Sequence, residues 1–260
     1  MTTADPALTS DPPKETPVAV TGLVLAAGAG RRLRPHTDCV PKTLVALDDG
    51  STVLERILAN FASVGIDHAT IVVGYRASAI RERLAEFERA SGLTLELVDN
   101  PHGETRNNAY SLWCGRAALT GGALLVNGDT LHPASVQTAL LAAAGERIAL
   151  AVDALKVLGA EEMKVQAIDC RLTAIGKPLP RDSYGEYIGV AWIPPAAAGE
   201  LVTSLERVWR RDPDAFYEAA FQDMVSRGAA IDVLPIGEVD WIEIDNLDDL
   251  AKANRLICRC

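Results

Sequence analysis

The stretch Thr21-Gly22-Leu23-Val24-Leu25-Ala26-Ala27-Gly28-Ala29-Gly30-Arg31-Arg32-Leu33-Arg34-Pro35 joins a continuous apolar run to a loop of glycines and arginines. A run of this kind, beginning at Val18, is the form of a strand buried on both faces of a parallel sheet. Glycines directly after such a strand let the backbone approach a ligand and turn its amides toward an anion. Leu33 stands where a dinucleotide fingerprint needs its third Gly, and no Gly-Lys-Ser/Thr follows as a Walker loop requires. The loop therefore reads as a phosphate cradle that is neither of those two. Its charge agrees. Residues 31–42 carry Arg31, Arg32, Arg34 and Lys42 against Asp38, a local excess of positive charge in a chain of net charge −10.

Similar short apolar runs recur at residues 69–74, 93–98, 123–127 and 148–152, separated by segments of helical spacing at 52–64, 77–90, 108–119 and 133–144. Alternation of strand and helix predicts a three-layer α/β/α fold around a Rossmann-like, mostly parallel mixed sheet, with ligands at the carboxyl ends of the strands. After about residue 155 the rhythm changes to strand pairs at 164–169 with 172–177, then a strand at 187–193, helices at 196–210 and 215–227, strands at 231–234 and 241–244, and a helix at 247–257. That second half would supply an antiparallel edge and a lid over an acceptor. The expected organisation is a disordered, proline-bearing lead at 1–18 and a single domain at 19–260, with a nucleotide half at about 19–153 and an acceptor half at about 154–260.

The 260 residues suffice for a sizeable core without disulfides, and 35 acidic against 25 basic residues make nucleic acid and anionic membrane surfaces poor partners. No apolar run approaches the roughly 20 residues of a membrane span, and no secretory leader is legible. Five scattered cysteines without a C-x-x-C pair suggest neither a disulfide framework nor zinc, which fits a reducing cytoplasm. His36, His68, His102 and His132 show no metal-ligand spacing.

The segment Leu25-Ala26-Ala27-Gly28-Ala29-Gly30-Arg31-Arg32-Leu33-Arg34-Pro35 with the downstream Pro41-Lys42 resembles the signature of the nucleoside-triphosphate transferase family, the sugar-phosphate nucleotidylyltransferases and their phosphocholine and phosphonate cytidylyltransferase relatives. The likeness continues through Val73-Gly74-Tyr75, Asn107–Leu112, Asn127-Gly128-Asp129, Glu162–Val165, Ile175-Gly176-Lys177 and Trp241–Asp245. It implies transfer of a nucleotidyl group: an acceptor phosphate oxygen attacks the α-phosphorus of a nucleoside triphosphate and pyrophosphate leaves. Such chemistry needs positioning and charge neutralisation, for which Mg2+ held by two carboxylates is suited. Asp129, at the end of an apolar strand, and Asp245, before the last helix, are the metal candidates, although Asp245 could instead cap that helix, as could Asn246. The nucleotide would lie on Leu25, Ala26, Ala27, Gly28, Ala29 and Gly30, with Arg31 and Lys42 on its phosphates. Asn108 and Ser111 are further contacts that could equally be capping residues.

The spacing around Asn107–Leu112 and Glu162–Val165 is similar to the branch that uses CTP and a small phosphorylated or phosphonate acceptor. On that likeness Lys177 meets the acceptor phosphate, with Lys164, Glu186, Tyr187, Trp192, Phe221 and Trp241 around the acceptor. Choline would require aromatic faces and carboxylates. Ala220 and Ile193 stand where the resemblance implies further aromatics in phosphocholine-specific members, so the cage looks depleted. Two alternatives stay open: a sugar-1-phosphate nucleotidylyltransferase using UTP, dTTP or GTP, and a regulatory subunit that binds nucleotide without reacting. The latter would be expected to lack Lys42 or an aspartate, and all three are present. A monomer or a homodimer is expected.

Overall fold

The computed structural model describes residues 20–257; the lead expected at 1–18, and with it Cys258 and Cys260, lies outside the described residues. β1 (Thr21–Ala26) runs into two single turns of 3-10 helix, Arg31–Leu33 and Lys42–Leu44, and then α1 (Val53–Ser63). β2 (His68–Val73), α2 (Ala77–Glu82), α3 (Leu84–Ser91), β3 (Thr94–Asp99), α4 (Asn108–Cys114) and β4 (Ala123–Asn127) follow. Next come β5 (Thr130–Leu131), α5 (Ala134–Ala142), β6 (Ala149–Asp153), β7 (Lys164–Ile168), β8 (Arg171–Ile175) and β9 (Gly185–Ile193). α6 (Pro195–Arg211), α7 (Glu218–Ser226), β10 (Asp232–Pro235), β11 (Ile242–Glu243) and α8 (Leu247–Ile257) close the described chain.

One mixed sheet carries the order β3-β2-β1-β4-β9-β6-β10-β8-β7, and β5 pairs separately with β11. β1 is parallel to β2 and β4, and β2 to β3. Successive residues of the strands alternate between two cores: Val24, Ala26, Leu124 and Val126 face α1 and α5, whereas Leu23, Leu25, Ala123 and Leu125 face α4 and α6. Period-two alternation of apolar side chains on both faces is what a strand covered by helices on each side requires.

β7 and β8 form an antiparallel hairpin whose β8 also pairs with β10 and whose β7 also pairs with the start of β9, turning through Asp169 and Cys170, both at positive φ as a tight two-residue turn demands. β9 differs from the expectation of an edge. It lies antiparallel between β4 and β6 with all nine residues buried. Ile188, Val190 and Trp192 enter one core and Tyr187, Ala191 and Ile193 the other, so no face of this strand could stay in water. The helix expected over 77–90 is two helices meeting at Arg83, and that expected over 108–119 gives way after Cys114 to a 3-10 segment, Gly115–Leu119. β11 falls within the strand expected at 241–244, but its two-residue partner β5 was not legible, nor was their pairing.

The carboxyl ends of β1 and β4 meet where the Gly128 N–H donates to the Leu25 carbonyl at 3.0 Å. A Cβ on residue 128 would sit 2.5 Å from that carbonyl oxygen, so only glycine lets the chain turn here toward Asp129. Gly128→Ala is expected to lose about 1–3 kcal/mol of stability in a urea titration; an unchanged midpoint would mean the two strand ends part freely.

Candidate active site

A cleft of about 380 Å3 opens beyond the ends of β1 and β4. Its floor is backbone and glycine: Leu25, Ala27, Gly28 and Gly30 all line it. Gly30 is left-handed, with φ 57°, and a Cβ there would lie 2.9 Å from the Lys42 Cβ. The glycine thus allows the loop to fold back over Lys42. Ala26 turns into the core behind the sheet and Ala29 stands outside the lining, so of the expected nucleotide loop these two do not face the cleft.

Lys42 is the hub. Its Nζ lies 2.6 Å from Asp129 Oδ2 and 2.5 Å from Asp245 Oδ1, and Arg32 reaches Asp245 Oδ2 at 2.6 Å. The small β5–β11 ladder pairs Glu243 with Thr130, and the Ile244 N–H donates to the Asp129 carbonyl at 2.9 Å. These backbone bonds carry two acids from distant parts of the chain to one point. Asn246, not Asp245, caps α8, its Oδ1 accepting from the Asp248 and Asp249 N–H groups. Asp245 is therefore free of the capping role and faces Lys42.

Burial alone would push the Lys42 ammonium down, but Asp129 and Asp245 outweigh it and hold it above its ordinary value. Asp245 is lowered: desolvation raises it, and Lys42 with Arg32 more than reverses that. Glu243 joins them. One oxygen each from Asp129, Glu243 and Asp245 lie within 4.8 Å of one another. The Glu243 carboxyl is hemmed in by the cleft although the residue as a whole is exposed, and desolvation followed by its two acidic neighbours pushes it up to about 8. Asp129 Oδ1 is buried without a hydrogen-bond partner. Three hard oxygen donors, one of them an orphan, fit a divalent cation such as Mg2+.

Arg31 lines the cleft beside Arg32. Asn107, Asn108 and Ser111 line it too, and each also has a structural bond: Asn107 caps α4, the Asn108 Oδ1 accepts from the Tyr217 N–H at 2.8 Å, and Ser111 Oγ accepts from Asn100 at 2.9 Å. Arg106 faces the same space, its guanidinium 4.7 Å from both the Tyr110 and Trp209 ring centroids.

At the far end Lys177, Met163, Tyr187, Phe216 and Glu218 border the cleft, and all but Tyr187 also border an adjoining cavity of about 800 Å3. Lys177 Nζ is 5.0 Å from the Phe216 ring centroid and 3.6 Å from Glu161. Glu218 Oε2 is buried with no hydrogen-bond partner, and burial pushes the carboxyl up to about 7. The Tyr187 hydroxyl oxygen accepts a buried hydrogen bond from the Tyr217 hydroxyl, 2.9 Å away.

The other expected acceptor contacts are corrected by their surroundings. Trp192 packs in the core under α5, where its indole N–H donates to the Gly145 carbonyl. Phe221 is wholly buried against Tyr187 and Tyr217. Trp241 sits outside the cleft lining and donates to Asp153 at 2.8 Å, with Lys156 over its ring. Glu186 is buried in an ion pair with Lys156 at 2.6 Å. Lys164 is buried, with its Nζ on backbone carbonyls rather than in the cleft. Glu243, Arg106 and Glu218 were missed, and Arg32 was legible only as part of the basic cluster at 31–42. Glu243 had a signal, since residues two apart on a strand share a face and Asp245 had already been singled out; Glu218 had none, because an acid at a helix start reads as a partner for the helix dipole.

The family model described as a MobA-like NTP transferase domain matches residues 22–213. The chain is 26% identical over 243 residues to a bifunctional IPC transferase and DIPP synthase of Aquifex aeolicus, covering 92% of this chain and 52% of that protein. It is 27% identical over 104 residues to a 2-aminoethylphosphonate cytidylyltransferase of Lancefieldella rimae, 40% of each. The inositol-1-phosphate CTP transferase structure from T. maritima superposes with a TM-score of 0.78 at 25% identity, covering 93% of this chain and 96% of that one. The chain spans about half the length, or less, of these curated relatives.

Two outcomes follow from the charges. Lys42→Met leaves three carboxylates facing one another, so it is expected to be about 3 kcal/mol less stable than the parent above pH 8, the gap shrinking as pH falls and Glu243, then Asp245, take up protons. Equal melting across that range would contradict the hub. For Glu218 the raised folded value means stability is present below pH 4.5 and lost as pH rises through about 7. Glu218→Gln is expected to lack that loss, of order 3 kcal/mol, in melts taken from pH 4.5 to 8; parallel curves for parent and variant would show that the carboxyl titrates normally.

Proposed function

The chain belongs to the MobA-like NTP transferase domain family, and from that premise we propose that it is a metal-dependent nucleotidyltransferase moving CMP from CTP to a small phosphorylated or phosphonate acceptor, with release of pyrophosphate. The observation that carries the reading is the convergence of Lys42, Asp129, Glu243 and Asp245 on the glycine loop. A triphosphate needs a backbone cradle, fixed cations and a metal seat within reach of one another, and all three border the same cleft.

In this account the triphosphate lies over Gly28–Gly30 with Arg31, Arg32 and Lys42 drawing charge from its oxygens. When bound, a divalent ion, Mg2+ in this reading, supplies further neutralisation of the phosphates and is held by Asp129 and Asp245 with Glu243 beside them. Lys177 holds the acceptor phosphate so that one of its oxygens faces the α-phosphorus. That oxygen forms the new P–O bond as the bond to pyrophosphate breaks, and no covalent enzyme intermediate is required. Asn108 and Ser111 face the nucleotide, and the β7–β8 hairpin serves as the wall of the acceptor half. No described helix is long and apolar enough to cross a membrane, and we place the reaction in the cytoplasm.

The choice of CTP rests on the cytidylyltransferase and CTP transferase names among the relatives, and that of a phosphorylated or phosphonate acceptor on the same names and on Lys177 at the far end of the cleft. Pyrophosphate release measured with CTP and Mg2+ against phosphocholine, 2-aminoethylphosphonate, hydroxyethylphosphonate, inositol phosphate and hexose-1-phosphates is expected to find turnover with at least one of the first four. Asp129→Ala and Asp245→Ala should each lower kcat by about 100-fold or more, in line with the loss of a transition-state charge partner. Turnover with hexose-1-phosphates alone would assign the protein to sugar chemistry, and nucleotide binding without pyrophosphate release would make it a sensor.

A further inference from the structure

Lys164, at the start of β7, is 1% exposed. Its Nζ donates to the Lys177 carbonyl at 2.6 Å and, at 3.4 Å each, to the carbonyls of Ala160 and Glu162. A lysine has three N–H donors and no acceptor, and here the three meet three backbone oxygens from two separate segments. One is the loop before β7, whose Glu161 and Met163 border the cleft; the other is the turn after β8, which carries Lys177. The same two segments are joined by the Gly176 N–H, which donates to the Lys164 carbonyl at 2.9 Å. Burying a charged side chain is costly unless its donors are satisfied, and an apolar residue would fill the space without that cost. What lysine adds is a three-way tie between the two segments beyond Gly176, where the ladder of β7 and β8 ends.

We propose that Lys164 is a positioning residue that fixes the two acceptor-side loops to one another and so aims Lys177 into the cleft. It touches neither substrate. The inference rests on the reading of Lys177 as the acceptor-phosphate ligand, but its structural half stands without it.

The test compares Lys164→Met, Lys177→Met and the double variant in the full chain, by steady-state kinetics and by amide hydrogen exchange. Lys164→Met is expected to raise the acceptor KM roughly tenfold while the CTP KM stays within about twofold, and to add less than about threefold on top of Lys177→Met, because residues acting through one group are not additive. Amide exchange should quicken in residues 159–163 and 176–179 and stay unchanged in β1, β4 and α1. A merely structural lysine would shift both KM values together, multiply with Lys177→Met, or loosen the whole sheet, and any of these overturns the proposal. Should Lys164→Met fail to fold, Lys164→Arg keeps a charge but cannot meet three carbonyls from one point, and the same confined exchange is expected; unchanged exchange there also overturns it. If the parent enzyme shows no turnover with any acceptor, the proposed reaction fails, while the exchange result still decides the role of Lys164.

Discussion

Three carboxylates cannot share a few ångströms of a cleft unless something holds them there, and here that is Lys42. Its ammonium sits between Asp129 and Asp245, and without it the like charges of those residues and Glu243 would push one another apart or take up protons. The near end of the site is built around this arrangement. The glycines of the first loop leave room for the lysine, Gly128 turns the chain to deliver Asp129, and the two-residue β5–β11 ladder brings in Glu243 and Asp245.

Such a hub is preorganised for a polyanion. A lysine already ordered by two acids loses little freedom when a phosphate oxygen joins them, and the neighbouring arginines widen the positive field without crowding the floor. The orphaned Asp129 Oδ1 fits the same picture, because an unpaired buried oxygen carries a cost that a cation would offset. The other end of the cleft has its own unmet demand in Glu218, a buried carboxyl beside two aromatic rings and a lysine. In the reaction proposed above the two ends would divide the work: one would disperse the charge of a triphosphate, and the other would distinguish what receives the nucleotide.

The sheet was legible because a strand buried on both faces has to be continuously apolar, and 123–127 could scarcely be read otherwise. Lys42, Asp129 and Asp245 were legible through their motif and their places at strand ends. Of the aromatic acceptor candidates, Trp192 and Phe221 lie in the core for a definite reason. Trp192 and Phe221 lie on elements that do reach the site, but side-chain direction changes with each residue along a strand or helix, and a one-residue difference sends a ring into the core. Tyr187 on the same strand as Trp192 borders the cleft, whereas Trp192 packs behind it. The β5–β11 pairing was hidden because two residues per strand leave no periodicity to read, and Lys164 because nothing in a sequence tells a lysine bound to carbonyls from one bound to a ligand.

The claim at the centre is that these acids and Lys42 form one seat for a metal–triphosphate complex. Binding of Mn2+ in the presence of CTP, followed by electron paramagnetic resonance, addresses it without relying on turnover. The account predicts one tightly held Mn2+ per chain that requires the nucleotide and is lost in Asp245→Asn. Mn2+ bound equally well with and without CTP, or retained by that variant, would contradict it.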